Sequence, residues 1–116
     1  KVLVDRPEAK GGADEGPMGG EYFLAAVAGC FMSTMLAAIR AREADVSDVE
    51  ILVTGTLADS PSRFTSVSLE VTGDCADSDL FERLVRIAEN GCGMVNTLTR
   101  GVDFRVSVGS PDPLAH

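Results

Sequence analysis

Hydrophobic and polar positions divide the chain into one long uncharged block, two alternating stretches and one amphipathic stretch. Glu21 to Arg42 (EYFLAAVAGCFMSTMLAAIRAR) has no proline, few β-branched residues and many Ala, Leu and Met, which predicts a helix. Tyr22 to Ile39 carries no charge, so this helix is apolar round its whole circumference and is expected to be central and buried. Its small residues Ala25, Ala28, Gly29 and Ala37 allow close approach of other backbone, as a crowded core or an oligomer interface requires. An uncharged run of about 18 residues also reaches the minimum for a membrane span. Dilution by Ala, Gly, Ser and Thr, and strands elsewhere able to cover the helix, favour a core element and no membrane.

Asp48 to Ala58 alternates, with Val49, Ile51, Val53 and Leu57 on one face, and predicts a half-buried strand. Asp59-Ser60-Pro61-Ser62 is turn chemistry. After it Thr65, Val67, Leu69 and Val71 alternate with Ser66, Ser68 and Glu70, which completes an antiparallel hairpin. Asp77 to Asn90 places Leu80, Leu84, Ile87 and Ala88 at helical spacing, with Asn90-Gly91 as its stop. Cys92 to Thr99 suits a short helix. Lys1 to Asp5 reads as a short strand, and Val102 to Val108 as a closing strand with Phe104, Val106 and Val108 on one face. Between them, Arg6 to Gly20 reads as a flexible lead-in loop, and Ser110 to Pro113 as a loose tail. The class is α+β, in one domain over residues 1–116.

Composition narrows the chemistry. With 45% apolar and 24% charged residues the chain should fold, and a net charge of −8 disfavours nucleic acid and anionic lipid as partners. The single histidine, His116, is terminal, which removes Ser-His-Asp, Cys-His and multi-His zinc chemistry. Three cysteines without a CxxC pair or a histidine make a poor zinc site, so no metal is expected. An odd, sparse cysteine set predicts a reducing, cytoplasmic setting. The chain begins at Lys1 rather than Met, and a targeting signal upstream of it would lie outside this sequence.

The cysteines sit in three settings. Cys30 is mid-helix among Ala, Phe and Met, where a lone thiol reads as a small core hydrophobe and burial raises its pKa unless a cation lies nearby. Cys92 follows Gly91, where a new helix can begin, and is expected to feel the positive end of the peptide dipoles. Cys75 is flanked by Asp74 and Asp77 and reads as a bystander.

The order GPMGGEYFLAAVAGC (Gly16 to Cys30), an alternating hairpin, AENGCGMVNTL (Ala88 to Leu98) and a closing strand resembles the OsmC/Ohr family of osmotically inducible and organic hydroperoxide resistance proteins. That family's pattern resembles G-P-x-P-x-E-L-L-x-A-A-x-A-x-C in the first block and C-P-V-x-x-x-L in the second. Glu21, nine positions before Cys30, has the spacing of the OsmC-like branch. Two departures stand out: Gly93 replaces the proline after the second cysteine, and Gly19-Gly20 replace a proline and its polar neighbour.

The resemblance implies an OsmC-like fold, a long buried central helix packed on antiparallel sheet, in an intertwined homodimer with the site at the subunit interface and N-terminal strands upstream of Lys1. It implies a thiol peroxidase of the oxidative stress response. Cys30 would attack an organic hydroperoxide and Cys92 resolve it as a disulfide; no cofactor is bound, and an external dithiol, lipoyl in the Ohr branch, is the reductant. Glu21 would orient an arginine against Cys30, supplied from upstream, from Arg6 or Arg100, or from the other subunit. Phe23, Phe31, Met32 and Met35 would line an apolar pocket suited to an alkyl group. The alternative is a non-catalytic homodimer that binds a small apolar ligand at the interface.

Overall fold

A computed structural model describes residues 2–109. Lys1, the tail from Ser110 onward and His116 lie outside the described residues. A short 3-10 turn at Glu8–Lys10 precedes α1 (Gly19–Ala41), β1 (Ser47–Ala58), β2 (Arg63–Asp74), α2 (Ser78–Gly91) and α3 (Gly93–Arg100). Helices α1, α2 and α3 and the hairpin thus fall where periodicity and turn chemistry put them.

Helix α1 starts where the Glu21 carboxylate accepts the Met18 N–H at 2.8 Å, which satisfies one of the donors left free at a helix start. Val27, Phe31, Met35, Ala38 and Ile39, spaced by a turn, are its buried residues. Phe31, Met35, Ala38 and Ile39 form the core with Leu84 and Ala88 of α2 and with Cys92 at the junction of α2 and α3. The expectation of a helix buried all round is corrected within one chain. Ala25, Ala26, Gly29, Ser33, Leu36 and Ala37 are exposed, because one hairpin and two short helices cover only one stripe of it. By length and composition α1 could also cross a membrane; in this chain one stripe of it packs against α2, α3 and β1.

The strands pair antiparallel, with Ile51 opposite Val71 and Val53 opposite Leu69. Val49, Ile51, Val53, Val67, Leu69 and Val71 are half-buried, as alternation requires. A register shift between Thr56 and Leu57 changes the pattern near the turn. One extra residue in a strand moves the following side chains to the other face. The pairing skips Thr65 of β2, with Thr56 opposite Ser66 and Leu57 opposite Phe64, so Phe64 rather than Thr65 turns inward, which corrects the face expected there; Leu57, beside the turn, is 62% exposed rather than half-buried. The Phe64 ring lies against Gly55, where a Cβ would come within 2.6 Å of it. Glycine here makes room for an aromatic side chain.

Asp77 caps α2 by accepting the Leu80 N–H at 3.1 Å. Leu84 and Ala88 face α1, and the charged residues of α2 are exposed.

The two terminal strands expected from the sequence do not form. Residues 2–7 and 101–109 carry no strand, and Val2, Val4, Val102, Phe104, Val106 and Val108 are exposed. Their sequences alternate, yet neither is hydrogen-bonded to a neighbouring strand in this chain, and an unpaired strand has no ladder to hold it. The lead-in segment has order of its own. The Asp5 carboxylate accepts N–H groups from Arg6, Ala13 and Glu15, and these bonds, that of Glu15 foremost, hold it below its usual pKa. The Tyr22 hydroxyl donates to the Leu3 carbonyl at 2.7 Å and ties the segment to α1.

A folded monomer of this mass would expose about 6,000 Å² and a compact chain of this length would have a radius of gyration of about 13 Å. The observed values are 8741 Å² and 18.1 Å. Much of the surplus surface is apolar: the open side of α1, the exposed Leu52 and Leu57, and both terminal segments.

Candidate active site

Cys30 sits midway along α1 and Cys92 is the residue between α2 and α3, with φ −77° and ψ 117°. Packing of α1 against α2 and α3 brings these positions, 62 apart in sequence, to an Sγ–Sγ distance of 3.5 Å, with the Cys92 thiol donating to Cys30. Both thiols are free. Cys92 is 0% exposed, whereas Cys30 is half-buried, so a reagent from solvent reaches Cys30 first. Cys75 is separate: its thiol donates to the Asp77 carbonyl at 3.2 Å in the turn before α2.

The electrostatics of Cys30 differ from the mid-helix expectation. Its thiol is held below the ordinary range, not above it, by the Met94 N–H most of all and then by the Cys92 thiol. Burial opposes them, and the Gly93 N–H adds to the lowering. By its position at the start of α3, Cys92 is the thiol expected to gain from the helix dipole. In the folded chain the lowering falls on Cys30 instead, with the start of α3 as its main source.

No arginine provides this effect. Arg100, at the far end of α3 and about 10 Å along its axis from the first turn, donates to Asn96 Oδ1. Among the described residues the ion pairs are Arg86–Glu89 and Arg105–Asp103, and neither Glu21 nor Arg6 takes part. The Glu21 carboxylate is occupied with the start of α1, more than two turns from Cys30.

A cavity of about 440 Å³ opens between α1, β2 and α3, lined in part by Phe23, Val27, Phe64, Leu69, Val95 and Leu98. The Phe23 and Phe64 rings face each other with centroids 5.1 Å apart. Neither cysteine lines it. Its wall nonetheless adjoins the thiol pair, because Val27 is one turn before Cys30 and Val95 is one turn after Cys92. Of the four residues expected to line a pocket, only Phe23 does so. Phe31 and Met35 point into the core, 3% and 0% exposed, and the partly exposed Met32 lies outside the cavity wall. Phe64 and Val95 were missed; the bulge that turns Phe64 inward has no mark in the residue pattern.

The profile of the family described as OsmC-like protein matches residues 11–107. The chain belongs to the OsmC-like family. Solved structures of similar fold include an organic hydroperoxide resistance protein OsmC from Legionella pneumophila, with a TM-score of 0.70, 22% identity, and coverage of 84% of this chain and 73% of that one. Another is an organic hydroperoxide resistance protein from Elizabethkingia anophelis with thiocyanate bound, with a TM-score of 0.70, 21% identity and coverage of 86% and 75%. A third is the organic hydroperoxide resistance protein OhrB of Bacillus subtilis, with a TM-score of 0.65, 23% identity and coverage of 86% and 73%. At these identities the likeness is one of fold, and it is the α+β OsmC-like fold expected from the sequence. A search of curated proteins gives no match.

Proposed function

We propose that this OsmC-like protein is a thiol peroxidase that reduces organic hydroperoxides as a homodimer. The observation that carries the reading is the paired thiols: an accessible Cys30 whose pKa is depressed, with the buried Cys92 3.5 Å behind it. A protein that merely held an apolar ligand would have no use for that arrangement.

The chemistry balances on these groups. The Cys30 thiolate attacks the distal oxygen of ROOH; the O–O bond breaks, and with one proton the products are ROH and a Cys30 sulfenic acid. Condensation with the Cys92 thiol expels water and leaves a Cys30–Cys92 disulfide. A disulfide is about 2.0 Å long, so the sulfurs must close by about 1.5 Å. An external dithiol, of which a lipoyl group is one, is oxidised as it returns both cysteines to thiols. No resident cofactor takes part. The cavity beside the pair suits the apolar R group, and free cysteines suit a reducing, cytoplasmic setting.

Dimerisation is supported by the uncovered side of α1 and by the exposed, alternating Val102–Val108 segment, which a second chain would cover. Glu21, in this reading, sets the start of α1 and hence the position of Cys30, and meets an arginine only if one comes from outside the described residues. The test is turnover. With dihydrolipoamide or dithiothreitol present, cumene hydroperoxide should be consumed over many cycles and faster than H2O2. Saturable binding of the hydroperoxide without consumption would favour the ligand-binding alternative.

A further inference from the structure

Glycines on two different elements border the same aromatic ring. A Cβ at Gly20, in the first turn of α1, would come within 3.3 Å of the Phe64 ring; one at Gly55, midway along β1, would come within 2.6 Å of it and 3.0 Å of Leu24. Neither glycine has the positive φ that would call for one. Glycine also weakens the interior of a strand, and in a helix alanine is favoured over it. Space for the ring is what both positions provide.

The bulge at Thr65 turns Phe64 inward into this slot, where its ring meets that of Phe23 with 37° between their planes. With Gly55 of β1 against one side and Gly20 and Phe23 of α1 against another, the ring has the cavity of about 440 Å³ on the side left open. That cavity leads to the thiols. Phe23, Val27 and Cys30 stand at i, i+4 and i+7 on one stripe of α1, so the aromatic pair lies about 10 Å along the helix axis from Cys30. The described residues that line the cavity carry no charge, and the Thr65 and Thr99 hydroxyls already donate to the Thr56 and Val95 carbonyls at 3.3 and 2.8 Å. An uncharged, apolar group is what such a wall accepts.

We propose that Phe64 is the specificity-determining residue of this cavity: seated in its two-glycine slot, it leaves room beside Cys30 for a bulky, uncharged R group, and a side chain that unseats the ring closes that room. The inference deepens the peroxidase reading and rests on it for the substrate class, a neutral hydroperoxide ROOH with a branched or aromatic R. Gly20, one of the departures from the family pattern, is thereby part of substrate selection.

The test is the ratio of second-order rate constants for cumene hydroperoxide and tert-butyl hydroperoxide, in which a change confined to the thiols cancels. Gly55→Ala should lower the ratio about tenfold, and Gly20→Ala, which crowds the ring less, about threefold, the scale of a lost pocket contact. Adding Phe64→Leu to Gly55→Ala shortens the side chain and should bring the ratio back to within about twofold of the parent. Should Gly55→Ala fail to fold, Gly20→Ala decides. Turnover with a ratio unchanged by the glycine substitutions would overturn the inference and keep the peroxidase. If neither hydroperoxide is consumed, saturation-transfer NMR with cumyl alcohol reads the same cavity. A signal in the parent that weakens in Gly20→Ala keeps the inference and loses the peroxidase; an equal signal in both, or none in the parent, overturns the inference as well.

Discussion

Cys30→Ser is expected to lower the second-order rate with cumene hydroperoxide by at least about a thousandfold, because a serine hydroxyl is not ionised near neutral pH and cannot replace a thiolate nucleophile. Cys92→Ser should behave differently. Its hydroxyl can still donate to Cys30, so the first step should proceed within about tenfold of the parent rate and consume one hydroperoxide per chain. The product should be a Cys30 sulfenic acid, trapped by dimedone, that passes to the sulfinic acid under excess peroxide for want of a resolving thiol. Stopped-flow peroxide consumption with mass spectrometry separates the two variants. If Cys92→Ser lost the first step while Cys30→Ser kept it, the roles drawn from exposure and hydrogen bonding would be reversed.

In solution the protein should be a dimer of about 24 kDa whose unfolding midpoint rises with protein concentration, since folding and association are coupled when a core is shared. Phe104 and Val106, 82% and 85% exposed in the single chain, are expected to be covered by the partner. Burying such side chains stabilises by about 1.5–3 kcal/mol each, so Phe104→Asp with Val106→Asp should dissociate or unfold the protein at micromolar concentration. Multi-angle light scattering checks both statements. A folded monomer of 12.2 kDa, stable at micromolar concentration, would remove the dimer and leave the surplus apolar surface unexplained.

The elements were legible because their signals are local: uncharged residues from Tyr22 to Ile39, period-two alternation on either side of Asp59-Ser60-Pro61-Ser62, and Asp77 at the start of α2; the left-handed stop expected at Asn90-Gly91 does not form, since Gly91 is helical and the extended Cys92 ends α2. The inward face of α1 was not. A helix apolar all round has no polar side to orient it, so nothing in the residue pattern told Phe31 and Met35, which enter the core, from Leu36, which stays 40% exposed. The residue types at the start of β2 conceal a bulge at Thr65, and with it the inward turn of Phe64. The terminal strands failed for another reason: alternation predicts what a segment does beside a sheet and cannot supply the sheet.

The thiol site shows the same division. Cys30 and Cys92 were marked by the family resemblance, and the fold places their sulfurs 3.5 Å apart. Within its own helix the setting of Cys30 is one of burial alone, which raises a thiol pKa. Its stabilising partners, the Met94 and Gly93 N–H groups, come from a helix more than sixty positions later and are visible only once α1 and α3 pack.

The most direct measurement is peptide mapping of the intact protein after one equivalent of cumene hydroperoxide in the absence of reductant. The account predicts loss of two thiols per chain, an unmodified Cys75, and a single Cys30–Cys92 disulfide within one chain, reversible by an added dithiol. A dominant link through Cys75, a link between chains, or two intact thiols at Cys30 and Cys92 would contradict it.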